Sequence, residues 1–402
     1  MNEDDSRHRL RGAVAVALSV MVAAGCGTSE GDGGASGDAA VGDIAYGTLL
    51  TQHPLTGDAV LASAESSIQV TYMSEGPQGD PVVVSGSVSV PGGQAPEGGW
   101  PVISWAHGTT GVADACAPST GTVPSSDGEY LRYINETLDR YIDAGYAVVQ
   151  TDYVGLGTPG VHPYINGDSE ANAVTDIVTA ARELDPSIGS QWYAAGHSQG
   201  GHAAVFTAAQ APARAPDLDL KGAVAIAPGD KLGDTLQYFT VGGPEVREVL
   251  GYLPLILLGA QAADPELKAY DYVSGPVGPL LDAAMNGCTD ETFAAAQKAP
   301  VDDIIADGVD LSSMTDYLEK QNLDGLTLQV PTLVLQGTAD SAVTEPRTAE
   351  LIDTLCGAGN EVSYKTYEGL EHTPTVPASF DDAMAFIEAL GSGDAPTGGC
   401  NS

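Results

Sequence analysis

Hydrophobic and polar positions follow two different rhythms along this chain. Over residues 67–74 (SIQVTYMS) and 82–90 (VVVSGSVSV) they alternate, and β-branched residues are frequent. With EGPQGDP between them, these segments predict an antiparallel hairpin. Beyond residue 99 the apolar residues instead run together in short blocks. These are WPVISWAHG (100–108), YAVVQTDYVGLG (146–157), QWYAAGHS (191–198), GAVAIAPG (222–229), LQVPTLVLQGTAD (328–340) and EVSYKTYEG (361–369). Helical spacing occupies the intervals 128–143, 169–184, 200–210, 345–357 and 377–390. Short apolar strands alternating with helices predict an α/β fold, a mostly parallel sheet covered on both faces. Polar residues at the carboxyl ends of such strands lie where ligands bind. His107, Asp152, Ser198 and Asp340 are so placed.

Residues 230–326 break the rhythm. They hold helical patterns such as VREVLGYLPLILLGAQAA and SSMTDYLEKQNL but no convincing parallel strand. The expectation is a helical cap or lid at 230–326, inserted between a first core part (44–229) and a second (327–392), with a tail at 393–402. The run YLPLILLGAQAA (252–263) reads first as the cap's own core and second as the lining of an apolar pocket.

The first residues stand apart from this scheme. RHRLRGAVAVALSVMVAAGC joins a basic segment to an apolar run, Gly12–Ala24, that is short for a membrane span. It predicts an export signal over 1–25. The ending VAAGC resembles a lipoprotein box, making Cys26 the candidate lipidation site. The Gly/Ser/Ala/Asp-rich stretch 26–43 then reads as a flexible tether, holding an exported domain at a membrane surface. Apart from Cys26 there are four cysteines, Cys116, Cys288, Cys356 and Cys400. An even number in an exported chain suggests two disulfides, and three pairings are open.

The whole chain has 402 residues, is 43% hydrophobic and carries 54 acidic against 15 basic side chains, a formal charge of −39. That charge opposes nucleic-acid binding and fits a solvated exported protein. No H-E-x-x-H or clustered cysteines suggest a metal site, and no cofactor motif is present.

The chemistry gathers around GHSQG (196–200). A G-x-S-x-G that follows a strand and opens a helix is a nucleophile elbow. Ser198 is the candidate nucleophile, with Gly196 and Gly200 leaving room for the tight turn. A serine needs a base. Of seven histidines, His8 is in the signal, His53 in an early loop and His162 in a Pro/Gly loop. His107 is read as ordering a loop, and His197 and His202 lie too close along the chain to aim at Ser198. His372, in YEGLEHTP after the last strand, is the candidate base. Asp340 ends a strand between serine and histidine and is the candidate acid, with Asp353 and Glu371 as alternatives. Asp152 precedes the serine and is read as structural. Oxyanion donors are expected from the backbone N–H of Gln199 and, in HGTTG (107–111), of Thr109.

WAHGTTG, TDYVGLGTPGVHPY, GHSQGG, LVLQGTAD and EHTP, in that order, resemble the secretory lipase family of α/β-hydrolases, which includes fungal lipase A. The resemblance spans about residues 45–390. It implies hydrolysis of a small-molecule carboxylic ester or lipid through an acyl-enzyme, and carries nucleophile, acid and base onto Ser198, Asp340 and His372. It further implies Cys116 paired with Cys288 and Cys356 with Cys400. Separately, the chain is expected to act as a monomer. One departure is that a single helix and a glycine-rich tail follow His372, where fungal members carry a C-terminal flap. The rival readings are a serine peptidase on the same fold and a tethered binding protein without catalysis.

Overall fold

The computed structural model describes residues 44–121, 125–394 and 400. The export signal, Cys26 and the tether fall outside the described residues, as does most of the 393–402 tail.

Nine strands are described: β1 (Leu49–Pro54), β2 (Ala64–Glu75), β3 (Pro81–Pro91), β4 (Trp100–Ala106), β5 (Ala147–Thr151), β6 (Ile188–His197), β7 (Asp219–Ile226), β8 (Thr332–Gly337) and β9 (Val362–Tyr367). They form one sheet in the order β1-β2-β3-β5-β4-β6-β7-β8-β9. The expected hairpin is β2/β3, antiparallel from Glu75↔Pro81 to Ala64↔Pro91. From β5 onward every pairing is parallel, with Ala106 opposite Gly196 and His197 opposite Ile226. Strand β1 was not expected. Four of its six residues are exposed, so LLTQHP shows no burial pattern, and His53 belongs to this edge strand rather than to a loop.

The continuous apolar runs are explained by burial on two faces. In β4, Val102 packs with Val174 and Ile177 of α2 (Gly167–Leu184) and Ala203 and Ala204 of α3 (Gln199–Arg214). Its neighbours Ile103 and Trp105 point the other way, toward Leu138 of α1 (Ser125–Asp143) and Phe380 and Ile387 of α10 (Thr375–Ser392). Each such side chain taken fully out of water contributes about 1.5–3 kcal/mol.

Between β7 and β8 the chain forms α4 (Leu232–Val241), α5 (Tyr252–Ala263), α6 (Gly278–Asn286), α7 (Thr289–Ala296) and α8 (Ser312–Glu319). This cap has its own apolar core, built around Phe239, Leu253, Leu257, Leu281 and Met314. It is joined to the sheet domain at both ends. At one end Cys116 and Cys288 form a disulfide, Gly111 bridges Cys288, and Thr289 N–H donates to Thr110 O at 3.0 Å. At the other end His202 donates to Gln321 O at 2.8 Å, and Gly167 N–H donates to Gln321 Oε1 at 3.0 Å. A second disulfide joins Cys356, on α9 (Glu345–Gly357), to Cys400. Both pairings are those the resemblance implies.

Candidate active site

Strand β6 ends at His197 and α3 begins at Gln199, which leaves Ser198 to make the whole turn. It does so at φ 60°, ψ −116°, a conformation that costs an L-residue of order 1–3 kcal/mol. The surroundings hold it there. Ser198 N–H donates to Ile226 O at 2.9 Å, while its carbonyl accepts from His202 N–H at 3.0 Å and Gly229 N–H at 3.1 Å. The turn also needs bare backbone on either side. A Cβ at Gly196 would overlap the carbonyl of Gly200, and one at Gly200 would overlap the carbonyl of Ala106. Ser198 is half-buried and lines a cavity of about 390 Å³ that the cap helps to enclose, with Tyr164, Tyr252 and Ile256 among its walls. The run 252–263 therefore plays both expected parts, cap core for most of its length and pocket lining at Tyr252 and Ile256.

Asp340 sits in the loop after β8, 5% exposed. Its Oδ1 accepts the N–H groups of Ala342 (2.9 Å) and Val343 (2.8 Å). Its Oδ2 accepts from Gln336 Nε2 at 3.0 Å and from His372 Nδ1 at 2.7 Å. A carboxylate only accepts, so the proton of that last bond is on Nδ1, and His372 Nε2 is left as the basic nitrogen. Asp353 and Glu371 are exposed and make no hydrogen bond to His372. The His372 ring packs on His197, centroids 4.3 Å apart, which brings it beside the residue preceding Ser198. The Ser198 hydroxyl itself has no hydrogen-bond partner among the described residues. In unliganded enzymes the nucleophile–base bond is often long and tightens only around substrate.

Thr109 and Gln199 are also brought into this region. Neither backbone N–H donates a hydrogen bond among the described residues. The Thr109 hydroxyl is bonded to Tyr164 Oη at 3.0 Å, at the cavity wall. Gly108 N–H instead donates to Tyr130 Oη at 3.1 Å.

Three other histidines, His107, His162 and His202, are structural in distinct ways. His107 and His162 are completely buried, which pushes their pKa values down to about 4 and about 3. His162 donates from Nδ1 to Val154 O (2.8 Å), so its Nε2 accepts from the Gln199 side chain at 2.7 Å. The same Gln199 amide donates to Glu170 at 2.8 Å. His202 is different. Its Nδ1 meets the Glu170 carboxylate at 3.0 Å and its Nε2 meets the Gln321 carbonyl at 2.8 Å, so both nitrogens donate and the ring is an imidazolium. Burial opposes that charge, but the hydrogen bond and the negative charge of Glu170 outweigh it and raise the His202 pKa. Asp152 is structural as expected. It is buried and accepts from Ser85 Oγ (2.6 Å), Ser119 N–H (2.8 Å) and the Ser119 hydroxyl.

Sequence reasoning missed Gln336. Its amide fixes Asp340 and also reaches Val343 O at 2.9 Å, while its Oε1 accepts from Thr348 at 2.8 Å. A buried amide near the end of the otherwise largely apolar strand TLVLQG was the available signal. The buried Glu170–His202 pair was missed as well, since Glu170 in the first turn of a helix looks like ordinary dipole compensation.

Residues 133–399 match the secretory lipase family, a span that includes Ser198, Asp340 and His372. Among curated protein sequences there is no match. Among solved structures, Candida antarctica lipase A is similar with a TM-score of 0.73 at 19% identity, over 90% of this chain and 86% of that one. The rice cell wall degrading esterase LipA from Xanthomonas oryzae is similar with a TM-score of 0.65 at 22% identity, over 86% of this chain and 97% of that one. At such identities the likeness is one of fold.

Proposed function

Since the chain belongs to the secretory lipase family, whose members hydrolyse carboxylic esters, we propose that it is an exported serine ester hydrolase with Ser198, His372 and Asp340 as its triad. The observation that carries this reading is the 2.7 Å bond between His372 Nδ1 and Asp340 Oδ2, next to a serine held at positive φ.

In this reading the ester enters the cavity above Ser198 with its acyl part against Tyr164, Tyr252 and Ile256. Ser198 Oγ forms a bond to the carbonyl carbon while its proton passes to His372 Nε2. Asp340 holds the ring in that tautomer and stabilises the imidazolium. The developing oxyanion is met by the N–H groups of Thr109 and Gln199, donors worth about 10²–10³ each in turnover. The imidazolium returns its proton to the departing alcohol as the C–O bond breaks. Water, deprotonated by the same nitrogen, then releases the acid and restores Ser198. The free Ser198 hydroxyl closes on Nε2 when substrate fills the cavity.

Cys26 is proposed to carry the lipid and residues 26–43 to act as the tether, with the catalytic domain monomeric. Metabolic labelling with a fatty acid, lost in Cys26→Ser, tests the anchor.

Wild-type protein should react with a fluorophosphonate probe and hydrolyse p-nitrophenyl esters, and Ser198→Ala should do neither. Absence of labelling in folded protein favours the binding protein. Aminoacyl-nitroanilide turnover exceeding ester turnover favours the peptidase.

A further inference from the structure

Tyr130 stands on α1, outside the triad and outside the elbow, yet its hydroxyl touches both walls of the site. It accepts the Gly108 N–H of the oxyanion loop at 3.1 Å and lies 2.8 Å from His197 Nδ1. Burial holds its pKa above the usual tyrosine range, so the hydroxyl keeps its proton. With one lone pair taken by Gly108, the O–H is directed to His197 Nδ1. That leaves the proton of His197 on Nε2, a buried atom directed toward the His372 main chain. The ring carrying it packs on His372 at 4.3 Å. A directed chain thus runs from Gly108 N–H to Tyr130 O–H to His197, and ends on the proposed base.

We infer that Tyr130 is a positioning residue, acting through His197 to set the oxyanion loop and the seat of His372 in one register. This rests on the proposed triad.

Two features give the arrangement its use. The first is geometric. His197 is the last residue of β6, so its ring is fixed relative to Ser198, and a base resting on it inherits that placement. The second is electrostatic. His372 becomes positive during acylation, and a second cation at 4.3 Å would oppose it. Burial first, and then the neighbouring His372, push the His197 pKa well below the histidine range. The hydroxyl at Nδ1 adds a hydrogen bond that only the neutral ring can accept. The positive charge is thereby reserved for His372.

A double-mutant cycle reads this directly. Tyr130→Phe removes the hydroxyl and keeps the ring, and is expected to lower kcat roughly tenfold while KM changes less than about twofold. His197→Gln should lower kcat to a similar degree. Because Tyr130 acts through His197, Tyr130→Phe should add almost nothing in the His197→Gln background. Fluorophosphonate labelling rates, followed beside ester hydrolysis, should fall in parallel. Losses that multiply in the double variant, or a Tyr130→Phe effect confined to KM or to thermal stability, overturn the inference. Should wild type and Tyr130→Phe be labelled equally fast, the inference fails and the triad stands. Should wild type not be labelled at all, the triad itself fails.

Discussion

Removing the Cys116–Cys288 disulfide perturbs the protein mainly through its unfolded state. The two cysteines are separated by 172 positions, so the bond closes a very long loop in the denatured chain. The entropy of closing such a loop corresponds to about 5 kcal/mol at 25 °C. The Cys356–Cys400 bond closes a span of only 44, for about 4 kcal/mol on the same scale. Native contacts at the first bond change little on its removal, because Gly111 still bridges position 288 and Thr289 N–H still reaches Thr110 O. Cys116 and Cys288 are also the more buried pair, so lost sulfur packing acts in the same direction. Cys116→Ala/Cys288→Ala should therefore be the more destabilised of the two double variants in guanidinium unfolding. Its denaturant dependence should steepen as well, since an untethered chain exposes more surface. If Cys356→Ala/Cys400→Ala loses more stability instead, loop closure is not what the long bond contributes, and the reasoning is refuted.

Other consequences can be measured separately. Gln336→Leu keeps the strand apolar but frees Asp340 on one side, and kcat for p-nitrophenyl ester hydrolysis should fall about tenfold with KM little changed. The folded pKa of His202 is raised, so its contribution to stability is complete below about pH 6.5 and is lost as pH climbs through the raised value. Thermal melting at a series of pH values should show that decline in wild type and a flatter profile in His202→Gln. Glu170→Gln leaves the imidazolium buried without its counter-charge and should cost about 3–5 kcal/mol, much of it recovered in Glu170→Gln/His202→Gln, as chemical denaturation of the three variants would reveal. Gly200→Ala cannot fit beneath the carbonyl of Ala106, so the variant should be recovered unfolded or with both stability and probe labelling lost.

What could be read from the sequence, and what could not, follows from how each residue advertises itself. Ser198 is conspicuous because two glycines, an apolar strand and a helix all surround one hydroxyl. Asp340 and His372 are legible from strand-end position and chain order. The buried runs of β4 to β8 stand out because both of their faces are covered. Edge strand β1 does not, since most of it faces solvent and no periodicity survives. Tyr130, Gln336 and the Glu170–His202 pair were opaque for another reason. Tyr130 meets partners 22 and 67 positions away and Glu170 meets one 32 away, which only the folded sheet brings together, whereas Gln336 meets Asp340 four positions on, across a loop whose turn the sequence does not reveal. For His372 and Gln336 the link runs through Asp340, which each meets at one shared oxygen.

The cap is fastened to the sheet domain at two places, by a covalent bond beside the 107–111 loop and by His202 and Gly167 at Gln321. A panel riveted along two margins cannot swing like a door. The expected route into the chamber is local yielding of the cap wall at Tyr238 and Val249, residues that carry neither fastening, while the proposed oxyanion donors and nucleophile stay in place. Entry and chemistry are in that way assigned to different parts of the chain, and the entrance can be re-cut by substitution without disturbing the reacting groups.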